Sequence, residues 1–466
     1  MLQIIFILLG FLVISPGPVY AHAFGQQYNL PVPFWLYAYG AAFAVIISFA
    51  IIGFFINDTK KNISYPKIDI SNWKVVFLLK NHLFQNLVKI VSLFLFIITI
   101  LSGLFGTADS VSNFSTTFFW IIFLLGLTYC CAIIGNVYSF LNPWKTISEF
   151  LGKEEGIMQY PKRFGYYPGL IIYFFLIWIE LIGRFNPLQL STVIVLYSTL
   201  TFLGIYIFGS NIWFEYFDFF SIFFRIISKI SIVEKKEKRF FLRPPFVGLL
   251  LEKIQSFSLL FFIVFMLSST AFDGFRETTS WWNIYFAVLS PAPNFLGDFA
   301  HQILNTIGLI LSLVLFMSIY FILIFLMKMI TRSHQSFKQL CFSFAFSLVP
   351  IALVYNVAHY YTLLVIQGQS IIHLISDPLG LGWDLFGTSN TPINIGIIST
   401  NTIWHSQVAF ILIGHIAAVY LAHIIALGIF PTYKKAIVSQ LPMLVLMVSY
   451  TVIGLWILSQ PLTSGL

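Results

Sequence analysis

The stretch WHSQVAFILIGHIAAVYLAHIIAL, from Trp404 to Leu427, decides how the rest of the chain is interpreted. It is apolar over more than the roughly 20 residues that a helix needs to cross a bilayer. Three histidines interrupt it, at His405, His415 and His423. Ionisable side chains are costly inside a membrane, so by default they indicate an ion path or a ligand site. The sequence therefore predicts a transmembrane helix that carries functional histidines.

The composition extends this prediction to the whole chain. Its 466 residues are 59% hydrophobic and only 9% charged, whereas soluble domains contain about 25% charged residues. We predict an all-α, polytopic helical membrane protein with the lipid bilayer as its surroundings. The formal charge of +8 fits the lysine and arginine excess of loops on one side of a membrane. No nucleic acid is therefore predicted as a partner, whereas a small-molecule substrate and a membrane partner subunit stay open.

Hydropathy predicts about ten transmembrane helices after an N-terminal signal segment. The helices belong to a single multi-span domain over residues 22–466. The predicted spans are 34–55, 86–106, 116–140, 168–184, 191–208, 255–272, 303–328, 341–367, 402–429 and 440–459.

The basic residues predict the orientation. All but two of the 25 lysines and arginines belong to the same side of this topology. The two on the other side are Arg184 and Arg276. The positive-inside rule puts the lysine- and arginine-rich side in the cytoplasm, so both mature termini are expected outside a bacterial-type inner membrane. Segments 142–167 and 211–253 are expected at the inner interface, and 273–302 and 368–402 are expected to be outer loops.

Residues 1–21 are predicted to be a signal peptide, because a short apolar run ends in a small-residue cleavage pattern. Cleavage after Ala21 would leave His22 as the first residue. An α-amine and an imidazole together form a nitrogen chelate suited to Cu(II). Cleavage after Ala23, or an uncleaved anchor, is the alternative.

Helix geometry limits which histidines could share a site. His405 and His415 are roughly 15 Å apart along one helix, and His415 and His423 about 12 Å, which is too far for one metal ion. His359, in the span 341–367, reaches a depth similar to that of His415. Glu180 lies a little nearer the outer surface. We predict that His359, His415 and Glu180 form an intramembrane catalytic constellation in which Glu180 or Tyr360 orients an imidazole.

Several roles stay open for these histidines. Each could simply bond a backbone carbonyl or a tyrosine on a neighbouring helix. Imidazoles and a carboxylate suit a divalent metal such as zinc or copper. Bis-histidine haem ligation or a proton relay is the remaining alternative. The cofactor is therefore open, with haem less favoured than a metal.

The outer rim offers a second set of metal ligands. Asp273 and Arg276 end one span, and the loop after His373 carries Asp377 and Asp384. With His405 nearby, these carboxylates could hold a divalent metal above the membrane. The alternative is a turn-rich loop with solvated acids.

Short motifs spread from His22 to Leu427 resemble one bacterial family, the membrane proteins called fenitrothion hydrolases, a membrane-bound organophosphate hydrolase type. This resemblance implies phosphotriester hydrolysis. Family members often have Trp-Tyr-Val-Gln where this chain has Trp404-His405-Ser406-Gln407, so His359 and His415 are favoured over His405. The motifs are Asn142-Pro143-Trp144, Tyr160-Pro161-Lys162-Arg163, Leu242-Arg243-Pro244-Pro245, Ser269-Thr270-Ala271-Phe272-Asp273-Gly274-Phe275, His359-Tyr360, Gln367-Gly368-Gln369, Asp377-Pro378-Leu379-Gly380 and Gly382-Trp383-Asp384.

Two functions follow as expectations. The first is a membrane hydrolase in which a metal held by His359, His415 or the other predicted ligands generates hydroxide to attack a phosphoester or organophosphate. The second is a membrane carrier or assembly factor for copper or a small solute, in which intramembrane histidines relay ions or protons.

Overall fold

The apolar stretches of the sequence become long helices. The computed structural model describes residues 33–56, 65–152, 154–237, 239–289 and 297–460. The predicted signal peptide and His22 lie outside the described residues. The long apolar helices, α1 to α10, are Phe34–Phe55, His82–Phe105, Phe114–Ile134, Tyr167–Gly183, Pro187–Phe208, Phe257–Arg276, Gly297–Thr331, Phe337–Leu374, Thr400–Ile429 and Tyr433–Ser459.

All ten predicted spans coincide with one of these helices. Within the described residues, nine have the length and hydropathy needed to cross a membrane, and α4 is a shorter apolar helix. The all-α polytopic fold is therefore confirmed, and the chain is a multi-pass membrane protein. Shorter helices, including one-turn pieces, connect them: Lys74–Lys80, Tyr138–Leu141, Pro143–Leu151, Lys162–Phe164, Ser210–Tyr216, Phe219–Ile227, Ser228–Ile230, Val247–Leu250, Thr279–Leu289 and Ile395–Ile397.

Local sequence sets the helix ends. Helix α9 begins where the Ser399 side chain accepts a hydrogen bond from the Thr402 amide, and it stops two residues before Pro431. Helix α5 begins at Pro187, and Asn186 and Gln189 form a reciprocal capping box at this end. Such caps satisfy amides that the first helical turn leaves unpaired.

Helices α6 and α8 form the centre of the bundle. In each of them 83% of the most apolar 18-residue stretch is buried, against 22% in α1, 17% in α2 and 22% in α7. The outer helices instead expose large apolar side chains such as Phe54 and Phe94. An apolar exposed face of this size fits a lipid environment.

A small antiparallel sheet joins two loops on one side of the bundle. Strands β1 (Ile68–Asp69), β2 (Val233–Lys236) and β3 (Arg239–Leu242) pair in the order β1-β3-β2. Lys67 Nζ lies 2.6 Å from Glu234 Oε2 across the same junction. We call this side, which carries the loops after α1, α3, α5, α7 and α9, the lysine-rich side.

The predicted inner interfacial segment contains a buried helix. Most of Phe219–Ile227 is buried, including Phe220, Ile222 and Phe224, and it packs on α3, α4 and α8. Protein rather than lipid surrounds this helix. Its depth in a bilayer, like the positions of the other predicted interfacial and outer segments, stays a prediction.

Candidate functional site

One buried carboxylate connects the two central helices. Asp273, in the last turn of α6, is 1% exposed. The Nε2 atom of His359 on α8 lies 2.9 Å from its Oδ2 atom, and the Tyr360 hydroxyl donates to the same oxygen at 2.6 Å. Two consecutive residues of α8 thus bind one carboxylate of α6.

Arg276 supplies the positive charge of this cluster. Its Nη2 atom lies 3.3 Å from Asp273 Oδ1 and 2.9 Å from Glu277 Oε1. Its Nη1 atom donates to the Leu181 carbonyl at the end of α4. Arg276 is only 6% exposed, and a buried charge is tolerated only when it is paired and hydrogen-bonded. We call Asp273, Arg276, His359 and Tyr360 the Asp273 cluster.

Glu180 lies beside this cluster rather than in it. A cavity of about 30 Å³ is lined by Glu180, by Tyr360 and Asn356 of α8, and by Leu124 and Leu125 of α3, among others. That volume can hold water, which needs about 10–15 Å³ measured in this way. Tyr360 therefore separates two carboxylates: its hydroxyl bonds Asp273 and its side chain lines the cavity of Glu180.

Two of the helices that line this cavity contain π-helical segments. These are Thr117–Gly126 in α3 and Ile179–Gly183 in α4. In α4 the Arg184 amide bonds the Ile179 carbonyl, five residues back, and the nearby Leu181 carbonyl accepts a bond from Arg276. π-Bulges occur frequently at functional sites. The sequence reasoning missed both, since each lies in an ordinary apolar run.

His415 does not join His359. It is fully buried, its Nδ1 atom lies 2.8 Å from the Ile411 carbonyl of its own helix, and its Nε2 atom has no hydrogen-bond partner among the described residues. The helices therefore do not bring His359 and His415 together as predicted.

Helix rotation explains this outcome. A Cβ built at Gly414 would lie 2.2 Å from Val354 Cγ2, and Gln407 bonds the Ala358 carbonyl, so α8 faces α9 through Val354 and Ala358. His359 follows Ala358 and is turned by about 100° around the helix. It therefore points toward α6, where Asp273 and Gly274 lie.

The other predicted ligands are dispersed. His405 is exposed and its Nδ1 atom lies 2.8 Å from the Asn401 carbonyl. His423, at the opposite end of α9, bonds Gln440 and the Ile56 carbonyl. Asp377 accepts bonds from the amides of Leu381 and Gly382. His423 thus bonds neighbouring helices in the way that the helix-packing alternative expected. Asp377 stabilises a turn, as the alternative for the outer loop expected.

Asp384 completes the predicted set. It is exposed and accepts a hydrogen bond from the Ser389 amide, so it too stabilises the outer loop. In the part of the chain that the structure describes, no group of three or more His, Cys, Asp or Glu side chains could hold a metal ion. The predicted zinc or copper ligands therefore do not form a complete metal site there. The imidazole of His359 is oriented by Asp273.

A second buried carboxylate was missed by the sequence reasoning. Asp218 is 1% exposed and accepts hydrogen bonds from Ser221, Tyr138, Asn142 and Tyr197. Burial raises the pKa of the Asp218 carboxyl, and the bonds from Ser221 and Tyr197 oppose that rise. We call these five residues the Asp218 cluster. Its signal was local: an aspartate three residues before a serine, at the start of an apolar run, is typical of a helix N-cap.

No family model, no curated protein and no solved structure matches this chain. The resemblance to fenitrothion hydrolases thus stays a prediction.

Proposed function

We propose that this protein is a membrane carrier for a small solute, in which the Asp273 cluster binds and releases protons. One observation carries the proposal: an aspartate in the last turn of a long apolar helix, 1% exposed, bonds a histidine and a tyrosine of the neighbouring central helix. Ionisable groups at such positions are rare in membrane proteins and are associated with ion pathways and proton relays.

The proposed proton site is the Nδ1 atom of His359. Because Asp273 accepts the Nε2 proton, Nδ1 is the ring atom that is left to take up another. The side chain of His359 is 18% exposed and that of Asp273 is 1% exposed, so His359 is the member that a proton or solute can reach. Proton uptake creates an imidazolium beside Asp273, which then competes with Arg276 for the same carboxylate.

The Glu180 cavity offers a continuation of this route. Its size suits a water molecule, and Tyr360 lies between it and Asp273. A hydroxyl can donate and accept at once, so Tyr360 can pass a proton between the two carboxylates through water. Copper remains the alternative cargo, with the intramembrane histidines as transient ligands.

Phosphoester hydrolysis is the second candidate, and the same pair favours it. A carboxylate that holds one imidazole nitrogen orients the other as a general base toward water. Because the predicted metal ligands are dispersed, this candidate includes no metal-dependent step. His359 and Asp273 would then be the catalytic residues, and His415 would have no direct role.

One preparation can separate these candidates. The protein is reconstituted in liposomes, and we measure proton influx under an imposed potential, Cu(I) uptake, and nitrophenolate release from a chromogenic aryl phosphotriester. A proton carrier gives influx that His359→Gln abolishes and that His405→Gln, a matched change at the exposed rim, leaves intact. Hydrolysis without influx overturns the carrier proposal and supports the hydrolase, and copper uptake without proton influx supports the copper carrier.

We further propose a bacterial inner-membrane location with the lysine-rich side in the cytoplasm and a cleaved signal peptide. The lysine excess of those loops supports the orientation. Single cysteines placed in the 368–402 loop should react with an impermeant reagent on intact cells, and those in the 235–253 loop should not. The reverse pattern contradicts the orientation, and a mature mass that retains residues 1–21 contradicts cleavage.

A further inference from the structure

A large apolar groove lies away from the Asp273 cluster. Its volume is about 480 Å³, and its walls come from α2, α3, α5 and the first residues of the short helix Pro143–Leu151 with Leu141 before it. Residues that shape it include Val91, Leu95, Phe119, Gly126 and Trp144. Leu87 and Val91 are 57% and 47% exposed on the outer face of α2, so the groove is open toward the side.

The polar groups that line this groove are bonded within the protein. Ser92 donates to the Leu141 carbonyl and Thr99 to the Leu95 carbonyl. Trp144 Nε1 lies 2.8 Å from Ser198 Oγ. Cys130 contributes a thiol, which is a weak donor. A ligand in the groove therefore finds apolar contact and no strong hydrogen-bonding group, which suits a hydrocarbon chain.

The groove has the depth of one leaflet. Its lining residues on α2 run from Leu87 to Thr99, a distance of about 18 Å along the helix. The hydrocarbon core of a bilayer is about 30 Å thick, so one leaflet accounts for about half of that. Leu87 marks the end on the lysine-rich side, because α2 begins there at His82.

Cations lie at the same end. Lys89 follows the lining residue Val88, and its Nζ atom is paired with Glu149 Oε2 at 2.6 Å. Lys145 follows the lining residue Trp144. Lys145 lies one helical turn before Glu149 on the same short helix, so it adds a positive charge beside the neutral Lys89–Glu149 pair. Lysines at a membrane surface attract anionic headgroups.

We propose that this groove binds one acyl chain of an anionic phospholipid, taken from the leaflet on the lysine-rich side. The chain lies between α2 and α3, and the headgroup lies near Lys145. The apolar lining, the leaflet depth and the charge at one end all support the same occupant. The site is independent of the proposed carrier function.

The test uses nanodiscs that contain phosphatidylglycerol with a photoreactive acyl chain, and the full-length protein. After illumination, labelled peptides are mapped by mass spectrometry. Residues 118–127 of α3 should be labelled more strongly than α1 and α7, although those helices are more exposed. Labelling that follows exposure alone means ordinary surrounding lipid, and it overturns the proposal.

Two matched variants sharpen the result. Val91→Trp fills the groove and should reduce labelling of α3 severalfold, whereas Ile97→Trp, at an exposed position of α2 outside the lining, should not. Should Val91→Trp fail to fold, Cys130→Trp fills the opposite wall from an exposed position of α3 that also lines the groove. Equal labelling in the folded filling variant and in wild type overturns the assignment.

The headgroup is tested separately. Photoreactive phosphatidylglycerol should label α3 about fivefold more than photoreactive phosphatidylcholine, which corresponds to the ~1 kcal/mol that one lysine near the surface contributes. Lys145→Gln should remove this preference, whereas Lys434→Gln, on the same side but outside the groove, should keep it. Equal labelling by the two lipids in wild type contradicts the anionic headgroup. If a photoreactive apolar small molecule labels α3 more strongly than either lipid does, a lipid occupant is contradicted.

Discussion

Two buried carboxylates lie in this protein in contrasting surroundings. Asp218 and Asp273 are each 1% exposed, and each is bonded by tyrosine. Asp218 is otherwise bonded by uncharged groups, namely Ser221 and Asn142, and it caps the buried helix Phe219–Ile227. Asp273 is bonded by an arginine and a histidine.

This difference is the basis for assigning Asp218 a structural role and for proposing a proton site at Asp273. The donors around Asp218 are uncharged side chains, and its carboxylate caps a buried helix, so the cluster holds that helix in place. Around Asp273, His359 can change its charge and Arg276 has two further acceptors. A buried carboxylate whose partners are themselves ionisable is the stronger candidate for a functional site.

The largest expected effect is at Asp218. Asp218→Ala should destabilise the protein by about 5 kcal/mol, because several buried donors lose their acceptor and each such loss costs roughly 1–3 kcal/mol. Thermal unfolding in detergent, followed by tryptophan fluorescence, measures it. The matched control is Asp109→Ala, because Asp109 makes the same bonds to Ser112 in an exposed loop. It should lose less than about 1 kcal/mol; similar losses at the two sites would refute the role of burial.

Arg276→Met should have the next largest effect. It leaves the buried Asp273 without its cation, and breaking such a pair costs roughly 3–5 kcal/mol. The same unfolding assay measures this loss. Adding Asp273→Asn should restore part of the stability, since the unpaired charge is then removed too. A double variant that is no more stable than Arg276→Met would contradict a charge-based account of the cluster.

Asp273→Asn alone should separate stability from activity. Its stability should fall by only about 1–2 kcal/mol, because Arg276 keeps Glu277 and the Leu181 carbonyl as acceptors and the amide oxygen can still accept from Tyr360. Proton influx into liposomes should nevertheless be lost, since the negative charge that stabilises a protonated His359 is gone. Influx at the wild-type rate in a folded Asp273→Asn protein would show that this carboxylate takes no part in proton transfer.

The smallest effects are expected at two histidines of α9. His423→Ala should destabilise by about 1 kcal/mol, because the part-buried Ile56 carbonyl loses its donor. His405→Ala should stay within about 0.5 kcal/mol, as exposed substitutions usually do. Neither should change proton influx. A loss of influx in His423→Ala with unchanged unfolding would extend the proposed route to the lysine-rich side.

Much of the fold could be predicted because it depends on local sequence. The 30 residues of α9 follow from an apolar run, a capping serine and a nearby proline. The lysine distribution predicted which loops share a side, and the pairing of β1 with β3 joins two of them. His359 was also named as a candidate from the cost of ionisable residues in spans, and Asp273 as a possible metal ligand at the outer rim.

What the sequence left open is which side chains meet. The rise per residue placed His359 and His415 at a similar depth, but depth carries no information about direction around a helix. Direction is decided by packing: Gly414 lets α9 approach Val354, and this contact turns His359 toward Asp273 on α6. The neutral surroundings of Asp218 likewise come from residues far apart in the chain, such as Tyr138 and Tyr197. The sequence by itself determined the helices and the polar residues within them, whereas tertiary packing decided the partners, because a partner is fixed by the rotation of each helix against its neighbours.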